Sequence, residues 1–243
     1  MNRFVLAVMS LVCLTPSSLL LAEQRSDTDK QILGVWQLQF TTPDGAAREP
    51  LVAVGKQYGQ YVAWSMVNGQ PEPFRSVELR DEKLICTIDP SEQPDVTVTL
   101  ECSLAGDNRC TGIGRYRSKN GGETGEWKLT GKRFDRADFD EYSEWKIAFE
   151  IPDRGTQSAA VTVVSRDGKQ YAWYRGRDYD VPAREFVLDG DRVELVVAGE
   201  LEGGEDVEAT FKGVVSGETV TGDVTIKTGG RQGSFPFKGT QSL

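Results

Sequence analysis

Displaced by 109 residues, the chain meets itself again. Trp36 falls on Trp145, Phe40 on Phe149, and Pro43-Asp44 on Pro152-Asp153. The match continues without a gap: Val52 and Val54 fall on Val161 and Val163, Gly59 on Gly168, and Ala63-Trp64 on Ala172-Trp173. Pro73, Arg75 and Leu79 then fall on Pro182, Arg184 and Leu188. Beyond Leu79 the register slips by a residue or two, as insertions in hairpin loops make it do, and it recovers at the end of each copy. There Gly121-Gly122, Gly125 and Gly131 answer Gly229-Gly230, Gly233 and Gly239. A repeat of about one hundred residues is one ordinary domain, so two domains are expected, at 32–133 and 143–241. The acidic stretch 134–142, FDRADFDEY, reads as a linker between them.

Within each copy apolar and polar residues alternate, which is the period of a strand and not of a helix. WKIAFEI sets Trp145, Ile147, Phe149 and Ile151 on one face, and RVELVV sets Val193, Leu195 and Val197 on one face. Turn signals recur at Pro152-Asp153, Asp167-Gly168, Asp189-Gly190, Gly203-Gly204, Ser216-Gly217 and Gly229-Gly230. They bound eight strands per copy, beginning in the second near Trp145, Ala159, Gln170, Ala183, Arg192, Val207, Val220 and Gln232. Such short loops join antiparallel neighbours. A sandwich uses the same alternation, but hairpins between every consecutive pair favour a meander closed into a barrel, which leaves no open edge. The fold class is therefore all-β, with two tandem eight-stranded antiparallel up-and-down barrels.

The amino terminus has a basic start at Arg3 and an apolar run broken at Thr15-Pro16-Ser17-Ser18, the layout of a secretory signal peptide, taken here as residues 1–22. The mature chain then has no apolar run of membrane-spanning length. Its charge moves from −9 to −10 as Arg3 is lost, with 27 Lys and Arg against 37 Asp and Glu. With no basic block either, nucleic acid and anionic membrane surfaces are poor partners. Cys86, Cys102 and Cys110 remain after Cys13 leaves, an odd number for an oxidising compartment. Cys102 and Cys110 flank one short turn and are the expected disulfide; Cys86 to Cys102 is the other possibility. Cys86 itself occupies the core position of Leu195.

GVWQLQF, at Gly34 to Phe40, resembles the Gly-x-Trp opening of the lipocalin and avidin group. The resemblance implies a barrel whose first Trp, here Trp36, plugs the closed end with a basic residue of the last strand, here Arg133, stacked on it. The second copy departs: Trp145 follows Ser143-Glu144, and Thr240-Gln241 replaces Lys132-Arg133. Over nearly all of the mature chain, WxLxFxTPDG (Trp36 to Gly45), Val187 to Gly190 and GxFPFxGT (Gly233 to Thr240) resemble a secreted bacterial module of unknown function. That module occurs in tandem or appended to extracellular hydrolases, and it implies secretion and fold but no activity.

The chain has no His, which removes Ser-His-Asp and Cys-His arrangements and His-bound catalytic metals. No cofactor or metal is expected, and the acids Asp44 and Asp153 lie in Pro-Asp turns, where a carboxylate bonds its own backbone. Four residues are the ligand-site candidates. Trp64 shares parity with Val62 and Met66, and Trp173 with Tyr171, so both are expected to point into their barrels. Arg75 and Arg184, each two residues after a matched Pro, are expected at a barrel mouth, either solvated and ion-paired or anchoring an anion. The sequence thus describes a secreted non-catalytic binding or envelope module, with a hydrolase using paired carboxylates as the third reading. It takes either a small amphiphile in the barrel mouth or, with solid cores, a protein or glycan on its outer surface.

Overall fold

The computed structural model describes residues 27–67, 70–106, 108–152 and 154–242. The expected signal peptide, Cys13 and Asp153 lie outside the described residues. The fold is all-β and antiparallel. A six-residue helix α1 (Asp27–Ile32) is followed by β1 (Gly34–Thr41), β2 (Ala47–Arg48), β3 (Leu51–Gln57), β4 (Gln60–Val67) and β5 (Gln70–Pro73). β6 (Ser76–Arg80), β7 (Lys83–Ile88), β8 (Val96–Leu104), β9 (Arg109–Ser118) and β10 (Thr124–Arg133) complete the first half. The second half runs through β11 (Glu141–Ile151), β12 (Gly155–Arg166), β13 (Lys169–Arg175), β14 (Tyr179–Pro182) and β15 (Glu185–Asp189). It ends with β16 (Arg192–Glu200), β17 (Asp206–Ser216), β18 (Thr219–Thr228) and β19 (Arg231–Ser242).

Each half follows the same pairing path. β1 lies between β3 and β10, and the ladder continues from β3 through β4 to β5 and from β10 through β9, β8 and β7 to β6. β11 likewise lies between β12 and β19, with the path ending on β14 and β15. The fourth strand expected near Ala183 is in fact broken. Pro73 and Pro182, which have no N–H to donate, end β5 and β14; Arg75 and Arg184 then donate their backbone N–H to Thr87 and Val196 on the next strand. The hairpins after β3 and β12 turn on Tyr58-Gly59 and Asp167-Gly168, all four at positive φ, the conformation that a two-residue hairpin turn needs.

Two apolar cores lie on these paths. Leu38, Val52, Val54, Ala63, Leu84, Cys86, Leu100 and Leu129 belong to the first, and Ile147, Val161, Ala172, Leu195, Phe211 and Phe237 to the second. α1, with acids at its start and Lys30 in its last turn, seals one end of the first core with Ile32 and Leu33, which are 0 % and 2 % exposed. No helical period announces it, because it is under two turns long.

The acidic stretch 134–142 is packed and is no free linker. Asp135 caps a 3-10 turn at Arg136–Asp138, Phe139 meets Phe134 edge-on at 5.7 Å, and Arg166 covers the Phe134 ring at 4.0 Å. Glu141 and Tyr142 already belong to β11. The halves are also joined by backbone. β14 pairs with the end of β3, Tyr179 opposite Gln57 and Asp180 opposite Lys56. Gly55 makes this approach possible: a Cβ there would stand 2.2 Å from the Asp180 carbonyl oxygen.

Candidate functional site

The repeated Ala-Trp pair is oriented opposite to expectation. Ala63 and Ala172 are the inward residues, buried in the first and second cores. Trp64 and Val62 pack instead against the second core, across the boundary between halves. Trp173 likewise faces away from its own core, lining a cavity shared with Leu51 and Met66 of the first half and Phe134 of the joining stretch, and its indole N–H donates to Asp180. Alternation marks a side only when one face of a strand meets water. β4 has protein on both faces, so its parity carried no sign.

Two cavities follow from the broken fourth strands. At each break the strands on either side are neighbours without a ladder: among the described residues β6 pairs only with β7 and β15 only with β16. An open cleft of about 1250 Å³ runs along the first seam, lined by Trp64, Pro73 and Arg75 and by Arg184, Glu208 and Arg231 of the second half. A cavity of about 540 Å³ lies at the second seam, lined by Trp173, Pro182 and Arg184 with Phe139, Phe186 and Leu51. Three of the four candidates, Trp64, Arg75 and Arg184, therefore meet in one cleft, and Trp173 meets Arg184 in the other. Both spaces lie between the halves and not in a barrel mouth.

Both arginines are exposed and ion-paired. Arg75 reaches Asp89 at 3.2 Å, and Arg184 reaches Glu208 at 2.8 Å and Glu185 at 3.4 Å. The Thr97 hydroxyl, with Lys119 and Arg75, holds the Asp89 carboxyl below its ordinary value. The cation is kept in both halves while its partner moves from the end of β7 to β17.

Trp36 and Arg133 stand opposite each other where β1 meets β10. The Trp36 indole donates to the Ile32 carbonyl at 2.9 Å, and the Arg133 guanidinium donates to the Leu33 carbonyl at 3.1 Å and to the Asn108 side chain at 3.0 Å. Together they tie α1 to the closing ladder. Trp145 faces Gln241 and donates to Ser143 at 3.2 Å, so the second half lacks this arrangement. Asp44 acts within its turn, accepting from Thr42 and from the Ala46 N–H at 3.3 Å; the Thr42 bond first, then the Ala46 bond, lowers its pKa.

The expected Cys102–Cys110 disulfide is absent: all three cysteines are buried thiols. Cys102 stands opposite Gly112 and Cys110 opposite Leu104, so the two meet on a diagonal two residues out of register. Diagonal neighbours lie farther apart than a disulfide spans. The Cys102 thiol instead shares a hydrogen bond with Cys110, which with burial raises its pKa, and burial pushes Cys86 up to about 12.

Sequence reading missed the groups that join the halves. Tyr58 and Tyr179 hydroxyls lie 3.0 Å apart, Tyr179 donates to the Glu200 carbonyl at 3.0 Å, and Gln57 donates to that same carbonyl. Burial, the Tyr58 bond and nearby charge raise the Tyr179 pKa. The available signal was where the repeat fails: Gly55 against Val164, Tyr179 against Gln70, Asp180 against Pro71. Among the described residues no group of acids and cysteines is set to hold a metal ion.

No family model matches the chain, and no curated protein does. Among solved structures, a candidate outer membrane protein from Bacteroides fragilis is similar at 10% identity and TM-score 0.30, covering 88% of this chain and 100% of its own. A protein of unknown function from Nostoc punctiforme is similar at 12% identity and TM-score 0.28, covering 89% and 98%. Transferrin binding protein B from Haemophilus parasuis is similar at 10% identity and TM-score 0.24, and 46% of its length is covered against 86% of this chain. Likeness at such scores carries no inference about function.

Proposed function

We propose that the chain is a secreted, non-catalytic interaction module of two tandem eight-stranded barrels packed side by side. It contacts a protein or glycan partner through the open cleft between them. The carrying observation is the convergence of Trp64, Arg75 and Arg184 on that cleft, outside both cores, with the two arginines already neutralised by Asp89 and Glu208. Secretion rests on the leader layout of residues 1–22. The second reading, a small amphiphile, is favoured by the mixed lining of the 540 Å³ cavity, where Trp173, Phe139, Phe186 and Leu51 stand with Arg166, Lys169 and Arg184, and by a volume within the range of small-molecule sites.

Titration of the mature protein with a fluorescent fatty acid separates the two. The interaction module takes up no saturating amount, and Arg184→Met leaves the titration unchanged. Saturable uptake that Arg184→Met weakens by about 1 to 3 kcal/mol, the range for losing a charged hydrogen bond, establishes the amphiphile reading instead.

A further inference from the structure

We infer that the open cleft is a glycan site, and that its ligand is a neutral oligosaccharide of β-linked, gluco-configured units. The inference rests on the interaction-module reading and names which of its two partner classes the cleft takes. Charge excludes most other ligands. The cations lining the cleft are Arg75, Arg184, Lys227 and Arg231. Glu200, Glu202, Asp206 and Glu208 match them in number, so no net field selects an anion or a cation. A protein partner is also a poor match, because the centre of a protein–protein interface is depleted of charged residues and this lining is rich in them. The cleft, at about 1250 Å³, exceeds the range of about 300 to 1,000 Å³ usual for small-molecule sites, as a chain of several sugar units requires.

Such a lining offers hydrogen bonds from groups already held in place. Arg75 meets Asp89 through Nη1, and Arg184 meets Glu185 through Nε and Glu208 through Nη1. Each guanidinium is thereby fixed while its remaining N–H groups stay available to a ligand. Gln60 and Gln232 are exposed on the same cleft, and their side chains make no hydrogen bond among the described residues. Planar guanidinium and amide groups suit the paired hydroxyls along a sugar's edge. The first half adds rings: Tyr58, Trp64 and Phe74 line the cleft, each half-buried. A gluco-configured unit holds its hydroxyls equatorial, which leaves C–H groups on its two faces, and such a face packs on the electron-rich face of an indole. A fatty chain would cover the rings but strip water from the arginines and amides without replacing its hydrogen bonds. A sugar satisfies both. The opposite wall leaves room for it, since a Cβ on Gly203, Gly204 or Gly230 would meet nothing within 4 Å.

The test titrates the mature full-length protein with cellohexaose and with chitohexaose, both β-1,4-linked, by calorimetry and by the indole N–H resonances, with that of Trp64 assigned from Trp64→Phe. At least one of the two sugars is expected to bind, shifting the Trp64 resonance and leaving that of Trp36 in place. Affinity is expected to change by less than about twofold between low and physiological salt, since the ligand carries no charge to screen. The exposed pair Gln60→Ala, Gln232→Ala is expected to bind about tenfold more weakly, the scale of two lost hydrogen bonds, with an unchanged circular dichroism spectrum. Trp64→Ala is expected to lose more than Trp64→Phe, which keeps a ring; if Trp64→Ala fails to fold, the glutamine pair and the indole shift carry the test. Tighter binding of hexagalacturonate, a steep fall of affinity with salt, or a shift at Trp173 in place of Trp64 overturns the assignment. Binding of neither neutral sugar, together with absent fatty-acid uptake, overturns the glycan alone and leaves a protein as the partner. Saturable fatty-acid uptake that Arg184→Met weakens overturns the interaction reading beneath it.

Discussion

The two halves build the same pairing path around cores of different composition, and the differences compensate in pairs. In the first half Gly114 stands opposite Trp127; in the second Val224 stands opposite Phe235. A Cβ on Gly114 would stand 2.2 Å from the Trp127 ring, so the larger indole requires the glycine. The same exchange occurs one layer away. Cys102 and Leu129 in the first half correspond to Gly213 and Phe237 in the second, where a Cβ on Gly213 would meet the Phe237 ring at 2.9 Å. Interiors packed to crystal density accept such changes only together. The fold is held by summed volume at paired positions, and residue identity is free to drift.

The largest expected effect breaks one such pair. Gly114→Val alone forces a branched side chain into the Trp127 ring and is expected to cost about 3 kcal/mol or more, at or above the usual range for overpacking. Gly114→Val with Trp127→Phe installs the second half's own solution and is expected to recover most of that loss. Urea denaturation of the two single variants and the double variant gives the coupling directly. Additive losses would mean that the two positions are not exchanging volume.

This comparison also explains what the sequence revealed. The ungapped match from Trp36 to Leu79 carries the strand order, because every hairpin and inward position recurs at the same offset. Cys86 against Leu195 reads correctly as a core exchange for that reason, whereas Cys110, read as half of a disulfide, is a core residue like Val220. Trp64 and Trp173 were misread because strands covered on both faces lose the contrast on which alternation depends. The β3–β14 ladder left almost no trace, since backbone pairs with backbone there whatever the side chains. Its one steric requirement, Gly55 where the other half has Val164, is visible only as a break in the repeat.

Gly55→Val, which makes that position match the second half, sharpens the difference between core and boundary. The added side chain meets the Asp180 carbonyl and is expected to part the halves at a cost of about 2 kcal/mol, as overpacking does. Scattering should report a longer particle while the two cores persist. A more compact or wholly unfolded chain would show that the boundary is part of a single core.

Alkaline titration separates the halves by a smaller margin. Tyr61 of the first half donates to buried Asp29 at 2.8 Å, whereas its counterpart is Gln170, which does not titrate. Burial first, then the Asp29 bond, pushes Tyr61 up to about 12. A raised tyrosine pKa keeps its proton in the folded state after the unfolded chain has released it. That contribution is complete below about pH 10, the ordinary tyrosine value, and is lost as pH rises towards 12. Tyr61→Phe should flatten the loss of stability in that window and remove one late phenolate from the absorbance titration. Late phenolates should remain from Tyr174, which burial alone raises to about 12, and from Tyr179, which burial and the Tyr58 bond raise as well. An unchanged stability profile would mean that the bond to Asp29 adds nothing in the folded state.

The smallest expected effect concerns Cys110, and it decides whether the thiols are more than filling. Cys110 lies beside Gly131, where a Cβ would stand 2.6 Å from its sulfur; Val220 lies beside Gly239 in the same geometry, with a Cβ there 2.8 Å from its Cγ1. The glycine on the closing strand therefore leaves room for a valine in either half. Cys110→Val is expected to change stability by less than about 1 kcal/mol, the scale of a near volume-conserving exchange, since only a weak bond with the Cys102 thiol is given up. Cys110→Leu should cost more, because the added carbon has no matching space. In the unaltered protein all three thiols should resist alkylation while folded, since all three are buried away from the reagent, and all three should react once urea opens the chain. Recovery of a Cys102–Cys110 bridge from non-reduced protein would require the two strands to shift along their diagonal. It would then make the first core a covalently closed structure that the second, with Gly213 and Val220, cannot imitate.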